Sequence, residues 1–294
     1  MMSLPRLSLH GLSIGDALGD QFFGQESAVL ERISRRDVPP GPWPYTDDTV
    51  MAVAVLELLE EHGEIHQDLL AARFARDYSR DDKRGYGGTA HRILRGLNEG
   101  VDWKTASSEV FGGMGSMGNG AAMRVAPLGA FFRHDPARMV EQAMLSAEVT
   151  HAHPEAQAGA VAVASAAACI ASGGSRDTLF DFVLEHTPDS ETRAGIHKAE
   201  RLPRTYDIRT AVSALGNGTK LLSQDTVPLV IWCAARHLDN FEEAFWCTVA
   251  ALGDRDTTCA MVGGIVALAD MGRTIPPEWD AAREPLESTL GPES

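Results

Sequence analysis

A chain of 294 residues, 44% hydrophobic, with 41 acidic and 26 basic residues and a net charge of −15, holds enough apolar material for one large core. The acidic balance excludes a protein built to grip a nucleic-acid backbone, which needs a basic face. It also requires any anionic ligand to be met by local amides, helix N-termini or metal ions.

Aromatic residues are only 6% while Ala and Gly are abundant, a composition that favours closely packed helices. Residues 1–6 contain no secretory h-region. Cys169, Cys233, Cys247 and Cys259 lie in apolar runs without a Cys-x-x-Cys pair. They read as buried thiols, which fits a cytoplasmic protein. The first predicted helix spans 7–22. Gly11, Gly15 and Gly19 recur on one of its faces, at a cost of about 1 kcal/mol each relative to Ala. Such a stripe predicts that another backbone packs close against it.

A Pro-rich loop at 37–45 leads to Thr46-Asp47-Asp48-Thr49, and a helix follows over 50–62 with Gly63 as its stop. Periodicity places further helices at 66–79, 88–99, 136–149, 154–172, 176–186 and 191–200, then at 208–222, 227–237, 241–252 and 257–271. Pro154 and Pro228 each suit a first helical turn. The uncharged stretch from 156 to 175 is mostly Ala, Gly and Ser, too weakly apolar for a membrane span and suited to a buried core helix. No alternating β-branched run indicates a strand. The expected architecture is all-α: one compact domain of orthogonally packed helices over residues 1–275, with a polar, partly disordered tail over 276–294.

Chemistry concentrates at chain-distant places. Asp47 and Asp48 precede one apolar helix, and Asp254-Arg255-Asp256-Thr257-Thr258 precedes another. The plainer reading of each is a helix cap with acids favoured by the helix dipole. Two caps do not need four carboxylates, however, whereas a dinuclear hard-cation site does. Glu26, on the loop after the glycine-striped helix, is placed beside such a site as general acid or base, or as a further ligand.

The Gly-rich run Gly115-Ser116-Met117-Gly118-Asn119-Gly120 opens a short helical stretch at 121–124. Its amides can cradle a phosphate, although it matches neither the Walker nor the Rossmann pattern, and an ordinary flexible loop is the alternative. Thr150-His151-Ala152-His153 lacks a third soft ligand for zinc, so His151 is assigned to ligand contact or capping.

Together these segments resemble the ADP-ribosylglycohydrolase family. The resemblance rests on Gly15-Asp16-Ala17-Leu18-Gly19, Tyr45-Thr46-Asp47-Asp48-Thr49, the Gly115 to Arg124 segment, Thr150-His151 and Gly253-Asp254-Arg255-Asp256-Thr257, in that order. Arg84-Gly85-Tyr86-Gly87 and Leu215-Gly216-Asn217-Gly218 lean toward the serine-ADP-ribose hydrolase branch rather than the arginine-specific enzymes. The resemblance implies an all-α glycosidase with two Mg²⁺ ions, for which Mn²⁺ can substitute. Thr46, Asp47, Asp48, Asp254, Asp256 and Thr257 would be ligands, with Asp47, Asp256 and Glu26 central to catalysis. It places Phe111, Gly115, Ser116, Met117, Gly118, Asn119 and His151 around the ADP-ribose.

The implied substrate is an ADP-ribosylated protein or another ADP-ribose conjugate, with no membrane partner. Two departures stand out. Met117 occupies the place of a Tyr in the serine branch, and Arg255 replaces a spacer Thr and is expected to pair with a neighbouring acid. A non-catalytic, crystallin-like member of the same fold and a two-metal phosphohydrolase are the competing readings.

Overall fold

A computed structural model describes residues 2–286. Its helices in chain order are α1 (Leu4–Asp20), α2 (Glu26–Arg35), α3 (Asp47–His62), α4 (Gln67–Arg80), α5 (Gly88–Asn98), α6 (Trp103–Ser108), α7 (Val110–Gly113) and α8 (Ala126–Phe131). They continue as α9 (Pro136–Glu148), α10 (Pro154–Ala171), α11 (Leu179–His186), α12 (Glu191–Arg201), α13 (Ile208–Leu215) and α14 (Ser223–Arg236), then α15 (Phe241–Val249), α16 (Arg255–Val266) and α17 (Pro277–Ala282). Among the described residues there is no strand, only the isolated bridges Trp43–Arg283 and Gly118–Leu222, so the chain is all-α as its composition foretold.

The core is built around two unusual helices. α10 is Ala-rich and almost wholly buried, flanked by α8, α9, α11 and α14. It is long and apolar enough to cross a membrane by composition alone, yet 78% of that stretch is buried inside the molecule.

α1 is the second, and its glycine stripe meets α16 backbone to backbone. A Cβ on Gly11 would stand 2.5 Å from the Gly263 carbonyl oxygen, on Gly15 2.1 Å from that of Cys259, and on Gly19 2.6 Å from that of Arg255. No side chain fits between the two helices, which answers the cost of glycine in a helix.

Several boundaries depart from expectation. The helix expected at 208–222 ends at Leu215, because Gly216 takes φ +86° and the chain turns there. α14 then starts at Ser223, which leaves Pro228 inside the helix. Gly195 of α12 accommodates that ring, since a Cβ there would stand 2.5 Å from Pro228 Cγ.

Part of the tail expected to be polar and partly disordered is packed. Trp279 of α17 is buried against Phe241, Phe245 and Trp246. The Trp43 amide donates to the Ala282 carbonyl at 2.7 Å, and the Glu284 amide to that of Trp43 at 2.9 Å. A polar composition hid one apolar anchor; residues 287–294 lie outside the described residues. All four cysteines are free thiols, three of them buried.

Candidate active site

The two acidic motifs, about 200 residues apart in sequence, sit at the N-termini of α3 and α16 and line one cavity. Packing of α1 against both helices brings them together. They differ as caps. The Thr46 side chain accepts the Asp48 amide, as a cap should. Asp254 occupies the capping position of α16 without capping it; its Oδ2 instead accepts a hydrogen bond from Asn119 Nδ2 at 2.7 Å. The second motif is therefore not explained by capping.

Asp16 of α1, fully buried, is a residue whose role sequence reasoning missed. Its Oδ2 accepts the Thr46 and Thr49 amides at 2.9 and 3.2 Å and the Thr49 hydroxyl at 2.5 Å, and its Oδ1 accepts the Thr46 hydroxyl at 2.8 Å. An acid in the middle of an apolar helix was the signal, since a buried charge demands partners. Asp16 thereby ties the first motif to the glycine-striped helix. The Thr257 hydroxyl donates to Asp48 Oδ2 at 3.3 Å, joining the second motif to the first.

The carboxyls crowd one another. Burial pushes the Asp16 acid up to about 6, against the pull of its four hydrogen bonds. Burial, then the charge of Asp16, pushes Asp47 up to about 8. Asp48, Asp254 and Asp256 are all raised, first by burial; for Asp48 and Asp256 neighbouring carboxylates add to the shift. Five acids so placed hold all their charge only when a cation offsets it.

Two observations test that fit. Asp48 Oδ1 and Asp256 Oδ1 are buried without any hydrogen-bond partner, and the donor set is entirely oxygen, suited to a hard divalent ion. Among the described residues, no three His, Cys, Asp or Glu side chains already stand in a closed ligand cage. The carboxylates share a cavity without being drawn to a common point, so the fit rests on orphaned oxygens and donor chemistry.

The cavity has a volume of about 550 Å³, within the range of small-molecule sites. Asp47, Asp48, Asp254, Asp256 and Thr257 line it, together with Phe111, Gly115, Ser116, Met117, Gly118, Asn119 and His151. Thr46 stands behind this wall, its hydroxyl bonded to Asp16 and Asp48. Phe111 is 56% exposed at the rim and holds φ +54°, a strained backbone of the kind that marks functional loops.

His151 packs against the Gly-rich loop, where a Cβ on Gly120 would stand 2.9 Å from its ring. The capping role falls to His153 instead, whose Nδ1 accepts the Glu155 amide at 3.1 Å.

Burial, then the nearby Arg124 charge, lowers the His151 pKa to about 3. The unfolded chain binds a proton near pH 6.5 and the folded chain does not. The neutral ring thus contributes stability above that pH, which is lost progressively as pH falls from about 6.5 toward 3. We expect the His151 Cε1 proton resonance to stay fixed between pH 8 and pH 5 by NMR; a midpoint near 6.5 would overturn this placement.

Arg124, also missed, is fully buried with its guanidinium over the Phe74 ring at 4.6 Å. It donates to the Ser146 carbonyl and the Thr150 hydroxyl, so it supports the wall that carries His151.

Two expectations are corrected. Glu26 does not reach the carboxylate cluster. It sits exposed at the first turn of α2, which sends Val29 rather than Glu26 inward, and it does not line the cavity. Arg255 forms no ion pair with its acidic neighbours among the described residues. Its guanidinium stacks on the Phe23 ring at 4.9 Å, and its buried Nε has no partner.

The family model for ADP-ribosylglycohydrolases matches residues 6–290. An uncharacterized protein of Archaeoglobus fulgidus is 33% identical over 283 residues, covering 92% of this chain and 88% of that protein. The ADP-ribosylhydrolase ARH3 of Homo sapiens is 28% identical over 327 residues, covering 96% and 89%. The ADP-ribosylarginine hydrolase Tri1 of Serratia proteamaculans is 24% identical, covering 92% and 73%. A solved structure described as an ADP-ribosylglycohydrolase-related protein complex superposes with a TM-score of 0.72 at 25% identity, covering 95% of this chain and 92% of its own.

Proposed function

The chain belongs to the ADP-ribosylglycohydrolase family, and from that premise we propose that it uses divalent cations to hydrolyse the bond between the distal ribose C1″ of ADP-ribose and an acceptor hydroxyl on a protein. Family and relatives make it a hydrolase of ADP-ribose glycosidic bonds. The observation that carries the finer reading is the meeting of Asp47, Asp48, Asp254 and Asp256 in one cavity with the 115–120 loop. The higher identity to ARH3 proteins than to Tri1 favours an O-linked, serine-type acceptor.

The residues that would hold two cations are Thr46, Asp47, Asp48, Asp254, Asp256 and Thr257. Bound there, ions such as Mg²⁺ supply Lewis acidity, acidifying a water and orienting ribose hydroxyls. The chain's own work is positional. Asp16 fixes the first motif through four hydrogen bonds, and Asn119 fixes Asp254 while its amide nitrogen also touches the Thr226 hydroxyl at 3.1 Å. Neutral His151 leaves one ring nitrogen to face the ligand wall, since Nδ1 is already paired with the Thr150 hydroxyl at 2.7 Å. Water attack at C1″ breaks the C1″–oxygen bond, and the acceptor hydroxyl leaves with a proton.

The test is release of free ADP-ribose from serine-linked and arginine-linked ADP-ribosyl peptides in Mg²⁺. The expected result is release from the serine-linked peptide, at least about tenfold faster than from the arginine-linked one, and lost in EDTA. Release of inorganic phosphate, or binding of ADP-ribose without release from either peptide, would sink the reading.

A further inference from the structure

We propose that Lys220, unassigned by motif or family, is the positioning residue that receives the anionic diphosphate of the substrate beside the 115–120 loop. The inference rests on the function proposed above, and it begins from a shortage of positive charge. Four carboxylates line the cavity, His151 is neutral, and Lys220 is the one Lys or Arg side chain among the lining residues. Arg124 does not line the cavity; it is fully buried behind the wall, its Nη2 bonded to Ser146 and Thr150, and its charge acts on Asp47. The cations proposed above would offset those carboxylates, which leaves Lys220 as the positive charge in the lining that the chain itself can bring to a diphosphate.

The Gly-rich loop supplies less than its sequence suggests. The Gly115 amide donates to the Val110 carbonyl at 3.2 Å and the Asn119 amide to that of Leu221 at 3.1 Å, while the Gly118 amide donates to the Ser116 hydroxyl at 3.1 Å. Three amides expected to cradle an anion are thus already engaged. The stretch that follows is a three-residue 3₁₀ turn, Asn119–Ala121, without the aligned dipoles of a helix N-terminus.

The same hydrogen bonds carry Lys220 to the loop. Besides Asn119 to Leu221, the Ser223 amide donates to the Met117 carbonyl at 3.0 Å, so the turn holding Lys220 is docked on the loop at two points. The turn itself is fixed. The Leu221 amide donates to the Gly218 carbonyl at 2.7 Å, Leu221 holds φ +56°, and the Lys220 amide donates to Asp225 Oδ2 at 2.9 Å.

The side chain is held only loosely, by one long ion pair to Asp225. It is 72% exposed, and Nζ stands 3.9 Å from Asp225 Oδ1, beyond hydrogen-bond distance. A backbone fixed by these hydrogen bonds thus presents an exposed ammonium to the cavity, available to a diphosphate as a point charge.

The experiment is calorimetric titration of ADP-ribose, with adenosine as a phosphate-free probe, into wild type, Lys220→Ala and Lys220→Arg. In about 50 mM NaCl, Lys220→Ala should weaken ADP-ribose binding about tenfold, and the gap should narrow in about 500 mM NaCl as screening grows. Lys220→Arg should restore most of the affinity, and adenosine should bind all three alike. With peptide substrate, Lys220→Ala should raise KM and hold kcat within about twofold. Equal ADP-ribose affinity in wild type and Lys220→Ala overturns the inference alone. Wild-type protein that fails to bind ADP-ribose overturns the proposed function and the inference with it.

Discussion

Asp256→Asn is expected to lose at least about a hundredfold in kcat/KM for ADP-ribose release, while the cation-free protein becomes more stable. Both effects follow from one arrangement. Asp256 Oδ1 is buried with no partner, and its carboxyl is raised by burial and by the charges of Asp254 and Asp16. Removing a residue that merely orients a metal ligand costs about 10–100-fold in activity or affinity, and removing a ligand should cost more. Asn keeps the size and one oxygen but removes a charge from a set that repels itself, which should stabilise the cation-free fold by about 1 kcal/mol. Melting curves in EDTA and in Mg²⁺ check this. The parent should gain much more from Mg²⁺ than the variant, because a ligand that binds only the folded state stabilises it by mass action. An active variant would dismiss the cation site, and a lower melting temperature in EDTA would dismiss the crowding argument.

Gly15→Ala should destabilise the fold by about 3 kcal/mol or more, enough to lose soluble protein at ordinary temperature. The new methyl would stand 2.1 Å from the Cys259 carbonyl oxygen and 2.7 Å from its carbon, both backbone atoms with no rotamer to move. Neither helix can retreat locally, since Gly11 and Gly19 make the same approach to either side. Overpacking of this kind costs about 1–3 kcal/mol and sometimes more. Helix propensity alone predicts the opposite sign, a gain of about 1 kcal/mol. Gly96→Ala in α5 is the control: its methyl would meet Val101 at an ordinary 3.7 Å, so propensity should win and stability should rise slightly. Guanidinium midpoints for the two variants decide between packing and propensity.

What could be read in advance was whatever repeats or clusters along the chain. The glycine stripe foretold a close helix contact, and the acidic motifs, the Gly-rich loop and Thr150-His151 all arrived at one cavity. What could not be read depends on pairing across the fold. Nothing local says that Asp16 accepts hydrogen bonds from Thr46 and Thr49, or that the Asn119 side chain rather than a backbone N–H holds the Asp254 carboxylate. Arg255 looked bound to pair with an acid, but Phe23 offered a ring face. Glu26 failed for a register reason: one turn of α2 decides which side faces inward, and Val29 takes it. α17 was hidden because one Trp anchors an otherwise polar segment.

The glycine contact between α1 and α16 acts as a fixed gauge. Asp16 leaves one side of it and Asp256 the other, with backbone against backbone and no side chain between them. The spacing of the acids is therefore set by atomic radii, and no choice of amino acid can tune it in small steps. The rim is built differently, from the exposed side chains of Phe111, Met114 and Leu221, which can be changed without touching the glycine contact. An engineer seeking to change what the cavity admits should redraw that rim and leave the gauge untouched.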